Sequence, residues 1–419
     1  METKPKHFLT WWFATLTALV LAVGTFNVIV DPYRVFRMPP VEGFNARKGA
    51  AVSQEWLYKA YESSRIAPRT VLLGSSRVAL GMDAHSSHWP PDELPIYNLG
   101  IGGAMPYASF RYLQNLTATG APARVVVGLD FEYFLDTPDS EHTAAGDFES
   151  RLANNADGSP NRGAGRQRLL DLVQLTLSYG SLSDSIATVI GNLRGDPADT
   201  AGGNQPDEEM LRARLATGTF PVMEWSDVMS VRRFTGGRNP VAMADLRSIL
   251  DLCQSRGTQV VLYIHPMPAD TLEMLDLLGY WPTFEDWKRE LLGLVSRYPR
   301  PPAPGGVALW DFSDYDAYST ETVRPDGRVL RWFWESWHYT RALGDRIIER
   351  IHNTGDAHFG NTLTAETIES HLAEIRLRRQ LYRVSHQADI NRVRSVYEAA
   401  IRPLTSPAMA ARNPGTTQR

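Results

Sequence analysis

Apolar positions along this chain fall into three regimes. From Phe8 to Val30 they form one uncharged block, closed by Asp31-Pro32. Further on they form short runs at Thr70–Leu73, Ile96–Leu99, Arg124–Leu129, Thr258–Ile264 and Val307–Trp310. Runs of that length, bounded by glycine, proline and polar residues, predict strands. Val125, Val126 and Val127 are consecutive, as in parallel strands buried on both faces. Between the runs the apolar period becomes helical. Tyr107–Leu116, Ala242–Gln254, Phe284–Val295 and Thr340–Ile351 each carry one apolar stripe, the last made of Leu343, Ile347, Ile348 and Ile351. Alternation of this kind predicts an α/β fold: a three-layer α/β/α arrangement around a mainly parallel, five-stranded sheet.

The third regime is looser. An insertion is expected at about 137–241, with a helical period over Leu169–Leu182 and loops over Ala153–Arg166 and Arg194–Asp207. After His358 the composition shifts. Thr364–Ala400 predicts one or two charged amphipathic helices bearing Arg376, Arg378, Arg379 and Arg383, solvated and packed on the domain. Residues past Ser406 are expected to be disordered. The resulting layout is an anchor over 1–30, a membrane-proximal connector over 31–67 stiffened by Met38-Pro39-Pro40, a main domain over 68–355, and an extension over 356–419.

The first block is long enough to span a bilayer as a helix. Lys4 and Lys6 precede it, which predicts a cytoplasmic tip and an exported remainder. Trp11, Trp12 and Tyr33 are placed to act as interfacial aromatics. A cleaved signal peptide is the competing reading, with Ala22-Val23-Gly24 as the cleavage site. The uncleaved anchor is preferred because the apolar run continues through Phe26, Val28, Ile29 and Val30.

Composition narrows the field further. The chain has 419 residues, 43% hydrophobic and 21% charged, as in globular proteins. A net charge of −4 gives no footprint for nucleic acid. Cys253 is the one cysteine, so neither a disulfide framework nor a thiolate metal site can form within the chain.

Chemistry is expected at the carboxyl ends of the strands, where open α/β sheets bind their ligands. Gly74-Ser75-Ser76-Arg77 follows the first strand, and Gly100-Ile101-Gly102-Gly103 follows the second. Glu335-Ser336-Trp337-His338 lies beyond the fifth. A serine hydroxyl becomes nucleophilic when a histidine takes its proton, and a carboxylate holds that imidazole in the right tautomer. Glu335, three residues before His338, is within reach of its ring. Glycine-turn N–H groups can stabilise an oxyanion. The plain alternative is a strand-to-helix turn with Ser75 or Ser76 as N-cap.

In order and spacing these blocks resemble the SGNH (GDSL-like) hydrolase superfamily, over roughly residues 68 to 355. The resemblance implies Ser76 as nucleophile, with its own N–H and that of Gly103 as oxyanion donors. Asn98 stands five residues before that glycine, as the second block requires. His338 would be the base and Glu335 the orienting acid. Two positions depart from the pattern. Ser75 replaces the usual aspartate of the first block, and the third block, normally Gly-x-Asn-Asp, is Gly128-Leu129-Asp130-Phe131. An ionised Asp130 would repel an oxyanion. It is therefore protonated, or turned towards Arg77 or a neighbouring loop, or replaced by another donor.

The anchor, the Asp-Pro-Tyr exit and the late Glu-x-x-His-Tyr resemble membrane-anchored SGNH-like proteins of bacterial polysaccharide O-acetylation. That resemblance implies an inner-membrane protein with its catalytic domain in the periplasm or extracytoplasmic space. It also implies acyl esters of envelope polysaccharide as substrates, a membrane-bound O-acyltransferase as partner, and no metal or organic cofactor. The alternative is a non-catalytic accessory or binding subunit of the same machinery.

Other residues carry two readings each. Arg77 is a substrate clamp or a surface arginine. Asn98 and Trp337 are candidate substrate contacts. Trp332, Phe333, Trp334, Trp337 and Tyr339 form either a sugar platform or packing that fixes the His338 loop. His265-Pro266 either lines the active face or caps the fourth strand. His85 and His88, near Asp83, are expected to be ordinary surface histidines rather than a metal pair. Asp311, Asp314 and Asp316 are expected in a solvated loop.

Overall fold

The computed structural model describes residues 4–136, 148–195, 237–322 and 330–405. The chain divides into two compact units. The first draws on Met1–Ala67, Gln114–Gly120 and Gly146–Met210, and the second on Pro68–Leu113, Ala121–Ala145 and Leu211–Arg419. The apolar amino-terminal block, the connector and the helical part of the insertion therefore belong to one folded body.

In the first unit the apolar block is helix α1 (Lys4–Val30). Its segment His7–Val30 has 24 residues and contains an 18-residue window with a mean hydropathy of 2.1, long and apolar enough to cross a membrane. The helix stops where Asp31 takes a positive φ of 51° before Pro32. Its last carbonyls need donors. The buried Lys48 ammonium supplies them, 3.1 Å from the Val30 oxygen and 2.8 Å from that of Asp31. Helix α2 (Glu55–Ser63) buries Tyr58 and Tyr61 with Tyr33, Val35, Ala51 and Leu175. Asn115 ties it to the start of the insertion: its amide donates to the Ala60 carbonyl at 2.8 Å and accepts from the Ala153 N–H at 2.7 Å.

The second unit is built on a six-stranded mixed sheet in the order β2-β1-β3-β4-β5-β6. Strands β1 (Thr70–Leu73), β2 (Ile96–Asn98), β3 (Arg124–Leu129), β4 (Gln259–Ile264) and β5 (Val307–Asp311) are mutually parallel. The expected five-stranded parallel sheet is thus extended by β6 (Asn361–Thr362), which pairs antiparallel with β5. Two polar residues carry no apolar period, so nothing in the pattern announced that strand. Short helix α3 (Ser76–Gly81) follows β1, and α4 (Pro106–Thr117) follows β2.

Residues 137–147 and 196–236 of the insertion lie outside the described residues. Of the rest, the stretch expected as helical over Leu169–Leu182 is split between two longer helices, α5 (Ala164–Leu177) and α6 (Tyr179–Arg194), because Ser178 leaves the helical region and caps α6 through the Ser181 N–H. In the expected loop Ala153–Arg166, the part before α5 is an ordered turn: Asn154 bridges Pro160, and the Asn161 amide donates to the Leu152 carbonyl at 3.0 Å.

Helices α7 (Pro240–Ser255), α8 (Ala269–Leu277) and α9 (Trp281–Val295) come next, and α10 (Arg341–Ile351) follows β5. The core on one sheet face joins Leu72, Val126 and Val261 to Phe333, Tyr339, Leu343 and Ile347. Helices α3 and α10 meet through glycines. A Cβ at Gly344 would lie 1.9 Å from the Gly81 carbonyl oxygen, and one at Gly81 would lie 2.2 Å from the Tyr339 ring. Gly344→Ala is expected to destabilise the unit by about 2–3 kcal/mol, since the obstruction is backbone that cannot rotate away. Urea unfolding measures it; a loss below about 0.5 kcal/mol would show that α10 shifts freely.

The carboxyl-terminal helices α11 (Ile368–Ser385) and α12 (Gln387–Thr405) are held by charge as well as packing. The arginines expected on a solvated face are paired: Arg376 with Glu285, Arg378 with Asp314, and Arg379 and Arg383 with Glu273 and Asp276. The acidic stretch that begins at the last residue of β5 also differs from expectation. Asp311 and Asp314 are buried. Asp311 receives the Lys288 ammonium at 2.7 Å and the His371 ring at 2.9 Å. The expected disordered tail past Ser406 lies outside the described residues.

Candidate active site

Two strand ends and one loop converge on Ser76. Strand β1 runs into Gly74, whose φ of +146° turns the chain sharply. Ser75 then caps α3, its hydroxyl accepting the Arg77 N–H at 3.2 Å. Ser76 is thereby the first helical residue, half-buried, with its hydroxyl at the lip of the turn. The N-cap reading and the nucleophile reading are compatible, because they fall on adjacent serines.

Hairpin 333–339 brings His338. Phe333 pairs with Tyr339, the Trp334 N–H donates to the His338 carbonyl at 2.8 Å, and both Phe333 and Tyr339 sink into the core. Thr271 of α8 fastens the tip through the Ser336 carbonyl at 2.7 Å. The result is a contact between residues far apart in sequence: Ser76 Oγ lies 2.7 Å from His338 Nε2. His338 Nδ1 in turn is hydrogen-bonded to Glu335 Oε1. The Glu335 carboxylate also accepts the backbone N–H groups of Trp337 and His338, at 2.8 and 3.0 Å. Burial would raise the Glu335 carboxyl. The His338 charge and ring bond, with these two N–H groups, outweigh it and hold the carboxyl below its ordinary range. Glu335 is accordingly an anion at neutral pH, aimed at the imidazole edge away from Ser76.

The glycine loop runs alongside. The β2 ladder continues past its end, with Leu99 N–H on the Leu72 carbonyl and Ile101 N–H on that of Gly74. Gly103 follows with φ +72° and open space where a Cβ would stand. Asn98, expected to face a substrate, is instead buried. Its amide donates to the Val78 and Met82 carbonyls at 3.0 and 2.7 Å, and its oxygen accepts the Gly100 N–H. Its task is to close α3 and to shape the loop that carries Gly103.

Arg77 also differs from the clamp reading. It is 3% exposed, with Nε 3.2 Å from Asp130 Oδ1 and Nη2 3.2 Å from Glu132 Oε1. Its guanidinium lies 4.5 Å from the centre of the Trp337 ring, so it supports the hairpin from beneath. Among the options open for Asp130, the side chain turns towards Arg77. Burial pushes the Asp130 carboxyl up to about 7, against the opposing charge of Arg77. Glu132 was missed at the sequence level; its signal was a second carboxylate two residues beyond Asp130.

His265, at the end of β4, is fully buried against Gly128, Tyr263 and Tyr339. Its Nε2 lies 3.7 Å from Asp130 Oδ1, and neither ring nitrogen has a hydrogen-bond partner. Burial, with the charges of Arg77 and His338, pushes its pKa well below the usual imidazole range, so it is a neutral wall behind the site. In the aromatic cluster, Phe333, Trp334 and Tyr339 are buried packing, while Trp332 and Trp337 are half-exposed. His88 is paired with Glu349 at 3.0 Å.

No protein-family model matches the chain, and no curated protein matches it. The functional reading therefore stands on the site itself.

Proposed function

We propose that this protein is a membrane-anchored serine ester hydrolase or O-acyltransferase of the SGNH type, working on acyl esters of envelope carbohydrate. The observation that carries the reading is the Ser76–His338–Glu335 relay, a hydroxyl, an imidazole and a buried carboxylate in hydrogen-bond sequence. The strand order adds support. Ser76 and Asp130 follow β1 and β3, at the point where the order of a doubly wound sheet reverses and ligands bind.

In the proposed reaction Ser76 Oγ attacks the acyl carbonyl as its proton passes to His338 Nε2. The charge formed on the carbonyl oxygen faces the N–H groups of Ser76 and Gly103. The first of these has no acceptor within its own helix. His338 then gives its proton to the departing sugar oxygen, leaving the acyl group on Ser76. An incoming water or sugar hydroxyl loses its proton to His338 and attacks the acyl carbon, and His338 passes that proton to Ser76 Oγ as the serine leaves. Glu335 stabilises the imidazolium at both stages.

Helix α1 fits an anchor by length and composition, and Lys4 and Lys6 favour a cytoplasmic tip with the site outside. Tethering would hold the site near a membrane-embedded acyl donor or a nascent polymer. The test is acetate release from p-nitrophenyl acetate by the full chain, with and without an oligosaccharide acceptor. Acetylated sugar among the products identifies a transferase, and acetate alone an esterase. A folded protein that gives neither, and that fluorophosphonate does not label, is the accessory subunit instead.

Asp130 adds a pH signature. Its carboxyl is neutral below about 7 and ionised above it. Ionisation adds negative charge near an oxyanion, so the wild-type rate should fall behind Asp130→Asn as pH rises. The rate ratio of variant to wild type is expected near one at pH 6 and about three- to tenfold at pH 8.5. A ratio that does not change with pH removes Asp130 from the electrostatics of the reaction.

A further inference from the structure

Helix α6 is built inside out. Its buried positions are Ser181, Ser185, Thr188 and Asn192, and its exposed ones include Ile186, Ile190 and Leu193, the last 72% exposed. A helix on a water-facing surface shows the opposite arrangement. Small and polar residues at a helix–helix contact, with aliphatic residues outside, are the pattern of helices in lipid. Helix α5 adds Leu170, Val173 and Leu177 to the exposed set, and Tyr179 at the turn is 84% exposed.

Charge follows the same division. From Leu169 to Leu193 the only charged residues are Asp171 and Asp184. Asp171 faces inward to Arg151 and the Tyr61 hydroxyl, and Asp184 accepts the Tyr33 hydroxyl. Arginines stand at the ends of the hairpin, Arg166 and Arg168 in the first turns of α5 and Arg194 at the last residue of α6. Apolar faces flanked by basic residues suit the boundary between acyl chains and anionic headgroups.

Depth follows from α1. The hairpin packs on it where a Cβ at Gly24 would meet Thr176 Cγ2 at 3.0 Å, and where the Asn27 amide donates to the Thr176 carbonyl at 3.0 Å. Gly24 lies about 9 Å along the axis from Val30, within the depth of one leaflet. Helices of 14 and 16 residues are about 21 and 24 Å long, too short to cross a bilayer core of about 30 Å. We infer that the α5–α6 hairpin is embedded in the outer leaflet beside α1, with its exposed aliphatic face in contact with lipid. The first unit would then be a membrane-seated platform rather than a tether followed by a water-facing domain. The inference rests on the anchor reading of α1 and on no part of the catalytic reading.

The test is spin-label accessibility in the full chain, carrying Cys253→Ser, reconstituted in nanodiscs of phosphatidylcholine and phosphatidylglycerol. Single labels are placed at Val173→Cys and Ile186→Cys, with Leu16→Cys in α1 and Ser248→Cys in α7 as references. Labels at 173 and 186 are expected to collide several-fold more with oxygen than with a water-soluble nickel chelate, like the label at 16 and unlike that at 248. If 186 is nickel-accessible while 16 is oxygen-accessible, the hairpin is in water and the inference fails while the anchor stands. If both are nickel-accessible, the anchor reading fails and takes the inference with it. If neither reagent reaches 173 or 186, a protein surface covers the hairpin, and the lipid assignment is overturned.

Discussion

Ser76→Ala is expected to lower turnover of p-nitrophenyl acetate by about 10³-fold or more and to abolish labelling by a fluorophosphonate probe. His338→Ala should cost about as much, because a hydroxyl with no base 2.7 Å away is a poor nucleophile. The double variant should be no worse than either single one, since residues that act as a unit lose their whole effect once. Glu335→Gln should lower the rate by about 10³-fold, through loss of the charge that favours the imidazolium and of the correct ring tautomer. The Glu335 carboxyl is held below its ordinary range, so it stays ionised through the neutral region and is not what titrates there. Additive losses in the double variant would mean that Ser76 and His338 act independently, and the relay would not be the catalytic device. Circular dichroism of each variant separates a chemical loss from a folding one.

How far this site could be read from sequence depends on what kind of information each residue carries. Ser76 and Gly103 stood out because strand runs fix where a chain emerges from a sheet, and Glu335 and His338, well beyond the fifth run, stood out by their three-residue spacing and the chemistry of the pair. Thr70–Leu73 and Arg124–Leu129 were legible to the residue, since fully buried strands admit almost nothing but aliphatic side chains. The orientation of Arg77 was not legible. Arginine is mostly a surface residue, and its burial here depends on two carboxylates some 55 positions later that only the β1–β3 pairing brings alongside. Asn98 was placed correctly in its strand but given the wrong partner. An asparagine that satisfies three backbone groups looks the same in sequence as one that meets a ligand. Helix α8 escaped notice because seven of the nine residues of Ala269–Leu277 are buried, Asp270, Thr271 and Glu273 among them, so its polar positions mark no outer face. The inverted α6 was not legible: the helical period was placed over Leu169–Leu182, which reaches only the first residues of Tyr179–Arg194, and periodicity shows that two faces differ and not which one points inward.

The acidic stretch that begins at the last residue of β5 shows the same limit and leads to the largest expected effect on stability. Asp311 is fully buried, and its two oxygens are committed to four donors: the Lys288 ammonium, the His371 ring, and the N–H and hydroxyl of Ser313. Asp311→Ala leaves the buried Lys288 and His371 without their shared partner, and removing one member of such a pair costs about 3–5 kcal/mol. Lys288 is on α9 and His371 on α11, so the loss should loosen the carboxyl-terminal helices from the sheet first. The pH dependence has a definite sign. Burial would raise the Asp311 carboxyl, but Lys288 and His371 outweigh it and hold the group well below the ordinary carboxylate range. A carboxyl depressed in the folded state contributes its stability above the unfolded pKa of about 4 and loses it as pH falls below that value. Wild type should therefore lose stability steeply below pH 4, and Asp311→Ala should show a shallower decline. Urea midpoints from pH 7 to pH 3 measure both. Lys288→Met placed on top of Asp311→Ala should recover part of the loss, because it removes the uncompensated ammonium. If Asp311→Ala costs less than about 1 kcal/mol at pH 7, the attachment of α11 rests on its apolar contacts and on Arg378–Asp314, not on this buried charge cluster.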